Sequence, residues 1–222
     1  ASFLIPVVVA VFLHELNMLS AFFIPMAVLW LITLLLFIRT KRQSIRLTVR
    51  EGILLVCFAW LGAGLLGAVP FMLSGFVPHF SDAFFESVSG FTTTGASVLQ
   101  NIESYPMSLR VWRTQMHWLG GMGIVALTVA LFPLLGVGGF QLIKSETSGP
   151  DKGKVTAKIT HTAKAIWFIY LGMTVLQIVL LCIAGMPFLE AMCHSFSTLG
   201  TGGFSTQNTI VGYYNSAAIE II

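Results

Sequence analysis

Charged side chains are scarce in this sequence: Asp, Glu, Lys and Arg make up 9% of its 222 residues, where an ordinary soluble domain has about 25%. With 56% apolar residues and a mean hydropathy of +0.87, a water-soluble fold of this length is excluded and a bilayer is the expected solvent. Cysteine is scarce as well. Cys57, Cys182 and Cys193 stand apart in apolar surroundings, which excludes a disulfide framework and a cysteine zinc site and leaves buried thiols. The net charge of +3 does not make a nucleic-acid surface, because the basic residues lie in two connecting segments rather than on one amphipathic face.

Uninterrupted apolar sequence is what the chain has in quantity. Residues 16–38, 52–81, 114–143 and 165–189 carry no charge, and each run reaches the roughly 20 residues that cross a hydrocarbon core, so four crossings are expected. Residues 3–13 form a shorter run, read as the tail of a helix whose beginning is missing. A signal peptide is the weaker reading, since no basic segment precedes the run and no small-residue cleavage site follows it. Arg39, Lys41, Arg42, Arg46 and Arg50 fill one connection, and Lys144, Lys152, Lys154, Lys158 and Lys164 fill another. By the positive-inside rule both face the cytoplasm. The outer connections hold Glu15, Asp82, Glu86, Glu103 and Glu190, with Arg110 and Arg113 against that bias.

The motif Phe91-Thr92-Thr93-Thr94-Gly95 returns as Phe196-Ser197-Thr198-Leu199-Gly200. Each copy follows a basic residue (Arg50, Lys164), an apolar segment and a short amphipathic stretch, from Asp82 to Gly90 and from Pro187 to Phe196. The organisation expected is an N-terminal helix pair at 1–38, a basic cytoplasmic loop at 39–51 and a first helix, pore loop and helix repeat at 52–143. A cytoplasmic loop at 144–164 and a second repeat at 165–222, cut within its last helix, would follow. The returning helix of the first repeat is placed at 118–140. Extended backbone at membrane depth cannot face lipid, because each unpaired N–H or C=O costs several kcal/mol there, so these loops should line a water-filled path. Gly95 and Gly200 are expected to allow backbone angles that other residues resist. Rings of carbonyls with Thr hydroxyls can replace the water shell of a monovalent cation without trapping it. The short helices would aim their negative C-terminal ends, near Gly90 and Ser195, at the path, and outer Asp82, Glu86, Glu103 and Glu190 would concentrate cations there.

Residues 82–97, 118–124, 146–150 and 194–205 together resemble, in order and spacing, the Trk/Ktr/HKT superfamily of potassium transporters, most closely the bacterial Trk-type membrane subunit. The resemblance implies an all-α membrane protein built of repeated helix, re-entrant pore loop and helix units resembling a potassium-channel pore. Four such repeats surround one pore in that family; the first two match here, preceded by an extra helix pair. Potassium is the implied substrate, with no covalent cofactor and no catalysed reaction. The implied ion-coordinating residues are Thr93, Thr94, Gly95, Thr198, Leu199 and Gly200, flanked by Thr92, Ala96, Ser197 and Thr201. Glycine at positions 95 and 200 goes with potassium selectivity, while serine in the first repeat goes with sodium. Leu199 departs from the Thr94 pattern, which a backbone ligand tolerates. The resemblance further implies a bacterial inner membrane location, a homodimer and a cytosolic nucleotide-binding regulatory ring docked on the basic inner loops.

Rival readings are a sodium or non-selective cation transporter of the same fold, an intramembrane metalloenzyme and a non-conducting scaffold. Gly62, Gly64, Gly67, Gly120, Gly121 and Gly123 read as close helix packing, with a bend in the pore-lining helix as the second reading of the last three, and His117 and His194 read as hydrogen-bonded structural residues ahead of a relay or metal-ligand role. Arg113 is left between two roles, a headgroup anchor and a partner for an acid such as Glu103. Residues 149–154 and 200–205 imitate nucleotide-binding loops but lack the residues that would bind magnesium or open a dinucleotide fold.

Overall fold

The computed structural model describes residues 2–40, 49–135 and 152–222, with backbone only at 40, 49, 125–135 and 152–161. Among the described residues every regular element is helical: α1 (Leu4–Phe12), α2 (Leu16–Thr40), α3 (Val49–Leu73), α4 (Phe80–Phe91), α5 (Met107–Leu135), α6 (Lys152–Ile183), α7 (Phe188–Leu199) and α8 (Ala217–Ile221). Single 3₁₀ turns at Ile102–Ser104 and Ile210–Tyr214 interrupt the two long connections. Lys41, Arg42, Arg46, Lys144 and the segment 146–150 lie outside the described residues.

Among the described residues three helices are long and apolar enough to cross a membrane, at Leu16–Arg39, Arg50–Leu73 and Thr162–Ile183, with mean hydropathies of 2.6, 2.2 and 2.3. Only 17% of each most apolar window is buried. Phe37, Phe58 and Phe168 therefore point outward with their neighbours, and a surface of that kind is stable only when covered by lipid or by further protein. The fourth expected crossing belongs to α5, whose apolar run to Ile143 passes beyond the described residues.

Helix α5 begins at Met107, well before the Trp118 start expected from hydropathy. Arg110 and Arg113 lie before the uncharged run in sequence, yet Arg113 is buried on this helix with Gln115 and His117, and Arg110 is half-buried. Its start is held from a distance: the Glu15 carboxylate accepts the backbone N–H of Met107 at 2.8 Å and of Ser108 at 3.0 Å. Those donors have no intrahelical partner, and a carboxylate there also meets the positive end of the helix dipole. Helix α6 likewise begins inside the expected basic connection, at Lys152, since lysine is a good helix former.

The core gathers on α5. Trp112 is almost wholly buried among Phe3 and Val7 of the N-terminal segment, Phe22 of α2, and Ala68 and Phe71 of α3. Its ring lies 4.5 Å from Phe3 and 6.3 Å from Phe91, centroid to centroid, and its indole N–H donates to the Gly67 carbonyl at 3.0 Å. On the opposite side Val111 packs with Cys193 and Phe196 of α7. One helix thus serves as the shared wall for both short helices, α4 and α7. Replacing Trp112 with Ala should cost about 3–5 kcal/mol through the cavity left behind. A thermal melt of the detergent-solubilised protein checks it; Trp112→Phe, which loses the hydrogen bond but keeps most of the volume, should fall between Trp112→Ala and the native protein.

Candidate functional site

Both short helices have 12 residues and both end in the same backbone turn. After α4, Thr92 N–H donates to the Val88 carbonyl at 2.9 Å, Thr93 to Gly90 at 3.1 Å and Thr94 to Ser89 at 3.0 Å. After α7, Gly200 donates to Phe196 at 3.1 Å, Thr201 to Thr198 at 2.9 Å and Gly202 to Ser197 at 2.9 Å. Thr93 and Thr201 each take φ of 55°, and Gly95 and Gly203 take 73° and 85°. A left-handed residue of this sort closes a helix C-terminus and turns the chain into extended backbone.

This geometry pairs Thr93 with Thr201, Thr94 with Gly202 and Gly95 with Gly203, three positions later in the second unit than the motif alignment that paired Gly95 with Gly200. Thr198 and Leu199 form the end of α7, and Gly200 is its cap with φ of −72°, so it does not use the backbone freedom expected of it. Ser197 lies inside the helix. Thr92, Thr93, Thr94, Gly95 and Ala96 do lie in the first turn and strand, as Thr201 does in the second. The cue that separates the two alignments was present in sequence: Asp82 and Glu190 occupy the third residue of α4 and of α7, and matching them matches Gly95 with Gly203.

The two loops meet. A Cβ on Gly95 would strike the Gly202 carbonyl oxygen, so one strand's glycine lies flat on the other strand's backbone. Helix α5 is moulded behind them: side chains at Gly120 and Gly121 would collide with the Phe91 carbonyl and the Gly200 Cα. The packing reading of these glycines fits that contact. On the first strand the Thr92 hydroxyl donates to the Val88 carbonyl at 2.8 Å and lies 2.8 Å from the Thr94 hydroxyl, and the Ser89 hydroxyl donates to the Ala96 carbonyl at 2.6 Å. On the second, the His117 ring stacks on Phe204 at 4.0 Å with its Nδ1 3.2 Å from the Ser197 hydroxyl, and a Cβ on Gly202 would enter that ring.

Side chains that looked outward-facing in sequence instead tie the loops together. Glu86 is fully buried and forms an ion pair with Arg113, which settles the choice left open for that arginine. Glu103 accepts the Asn208 N–H at 3.0 Å while the Asn208 side chain accepts the Ile102 N–H at 3.1 Å. Glu190 accepts from the Gln207 amide at 3.1 Å. Of these acids only Glu86 is matched by an opposite charge; Glu103 and Glu190 accept from neutral donors, as Asp82 does from the Ser81 hydroxyl at 3.2 Å. Tyr105, in the outer connection, has its phenol pushed above the usual range by burial and by Glu86, against the opposing pull of Arg113. No group of three or more His, Cys, Asp or Glu side chains placed to hold a metal occurs among the described residues.

Residues 18–222 match the family described as TrkH, cation transport protein. The Trk system potassium uptake protein TrkH of Halomonas elongata is 46% identical over 190 residues, covering 85% of this chain and 39% of that protein. TrkG of Escherichia coli, another Trk system potassium uptake protein, is 37% identical over 223 residues, covering 100% of this chain and 46% of its own length. The crystal structure of the potassium transporter TrkH from Vibrio parahaemolyticus superposes with a TM-score of 0.81 at 36% identity, over 99% of this chain and 44% of that one. The chain spans about two fifths of the length of the curated relatives it matches. On the match of its sequence and of its fold, this chain belongs to the TrkH family of cation transport proteins.

Proposed function

We propose that this chain supplies two of the pore loops of a potassium uptake protein in the bacterial inner membrane. The observation that carries the reading is the pair of loops themselves: two 12-residue helices end in matching left-handed turns, and the strands that follow meet at Gly95 and Gly202. The filter register that fits this geometry is Thr93, Thr94 and Gly95 in the first unit and Thr201, Gly202 and Gly203 in the second. Thr198, Leu199 and Gly200 then form the helix end beneath it. A potassium ion losing its water would be met by backbone carbonyls of these strands, and by the negative ends of the two short helices.

Transport of this kind makes and breaks no bond. The membrane potential contributes about 2.3 kcal/mol per unit charge per 100 mV, enough to draw cations inward against a moderate concentration ratio. By the family resemblance, glycine rather than serine at position 95 goes with potassium over sodium, and in the register proposed here Gly203 takes the place first given to Gly200 in the second strand. The remaining repeats would come from sequence outside this chain, since its relatives are more than twice as long. Assembly as a homodimer and docking of a cytosolic nucleotide-binding ring against the basic inner segments, which include Arg39, Arg50 and Lys164, belong to the same reading.

Two substitutions test the register in the assembled transporter, reconstituted in vesicles and assayed for rubidium uptake against competing sodium. Gly95→Ser adds a side chain where the Gly202 carbonyl already sits, and it must hold a left-handed backbone, so potassium preference should drop by about tenfold. Gly203→Ala adds a methyl in open space but at φ of 85°, so strain alone should shift the strand and weaken the preference less. Unchanged relative uptake in both would remove these glycines from the filter.

A further inference from the structure

The Glu86 and Arg113 pair is an unusual expense for a protein interior. Glu86 is 0% exposed and Arg113 is 5% exposed, and a buried ion pair is on balance no more stabilising than well-packed apolar side chains of the same size. Its partners indicate another use. The Glu86 carboxylate accepts the Ser97 hydroxyl at 3.0 and 3.1 Å and the Val98 N–H at 3.3 Å, all on the first strand just beyond Gly95. From the same guanidinium that donates to Glu86, Nη1 donates to the Ser205 carbonyl at 3.0 Å, just beyond Gly203 on the second strand. Its carbon also lies 3.6 Å from the centroid of the Phe204 ring, which His117 covers on one face.

Ser97 and Ser205 are equivalent positions: each stands two residues after the left-handed glycine of its strand. We infer that Arg113 is a positioning residue that holds the two loops in register at this level, gripping the first strand through Glu86 and the second through the Ser205 carbonyl, and thereby sets the ion discrimination of the path between them. The inference rests on the filter reading of these loops. Arginine suits the task because its planar fork offers several donors in fixed directions, whereas a lysine ammonium is a single point on a flexible stem. The network is satisfied on both sides of the ion pair, and a network of that kind specifies one arrangement of its members rather than merely holding them close.

Two variants of the assembled transporter separate positioning from bulk stability. Arg113→Lys keeps the charge opposite Glu86 but cannot also reach Ser205 with the same geometry. The double variant Glu86→Gln with Arg113→Met removes both buried charges together and so leaves neither unpaired, which keeps a folded protein for measurement if Arg113→Lys does not fold. Rubidium uptake against competing sodium should show discrimination reduced about tenfold in each variant that melts near the native temperature, in line with the loss of a hydrogen bond to a charged group. Hydrogen exchange over residues 95–99 and 203–207 should rise in both strands together. A well-folded variant with native discrimination, or exchange that rises in one strand only, overturns the inference. An unmodified transporter that shows no preference for potassium, but whose variants still loosen both strands together, upholds the brace and refutes the filter reading.

Discussion

Extended backbone inside a membrane protein has to find partners for its polar groups in protein or in confined water, because the surrounding hydrocarbon offers none. Here two such stretches lie against each other, and the tightest point is the approach of Gly95 to the Gly202 carbonyl. Much of the neighbouring sequence serves that contact. The turns that deliver the strands close on the carbonyls of their own helices, from Val88 to Gly90 and from Phe196 to Thr198. Side chains on more distant segments then take up donors and acceptors further along: Glu86 at Ser97 and Val98, Arg110 at the Thr206 carbonyl at 3.2 Å, and Asn208 and Glu103 across the outer connections.

Helix α5 makes the arrangement possible because its residues differ by face and by height. Near its start, Trp112 fills the space between the N-terminal helices and α3 while Val111 faces α7. Farther along, Gly120 and Gly121 thin the helix so that the ends of α4 and α7 can seat on its backbone. Between them His117 fills the volume behind the second loop, stacked on Phe204. Trp118 and α6 complete the wall: the Trp118 indole donates to the Thr174 hydroxyl at 3.0 Å, and the Tyr170 hydroxyl donates to the Trp118 carbonyl at 3.1 Å. A small side chain in the wrong one of these places would leave a void, and a large one would push the loops apart.

The membrane-spanning segments and the presence of two loop units were legible because their signals are local: a long uncharged run, or a Thr/Gly cluster after an apolar segment. The start of α5 was not legible. Its first turns carry Arg110, Arg113 and His117, residues that hydropathy assigns to water, and their burial depends on partners far away in sequence such as Glu86, Ser205 and Phe204. The register of the second loop failed for a related reason. Aligning Phe91 with Phe196 weighed side-chain likeness, but the turn is defined by backbone, and a threonine with φ of 55° at both Thr93 and Thr201 leaves no signature that residue type alone reveals. The acids at Asp82 and Glu190 were the better anchor, since position within a helix of fixed length determines where the helix ends.

The two units are alike in backbone and unlike in the chemistry that supports it, and the difference follows from charge. Glu86 and His194 occupy the same position, seventh in α4 and seventh in α7, and both are buried. Glu86 needs a cation, and Arg113 on the shared helix provides it. That one guanidinium also reaches the second strand at Ser205, so the second unit is held at this level without a carboxylate at position 194. A glutamate at position 194 would require a second buried cation, and an unpaired charge there would cost far more than the hydrogen bonds it could make. A histidine set edge-on to Tyr214 at 5.9 Å fills the equivalent space without adding a fixed negative charge. Duplicating the backbone while one guanidinium on the shared helix serves both copies spares the second unit a buried ion pair at this position, so the two loops can rest on one helix at the desolvation cost of a single pair.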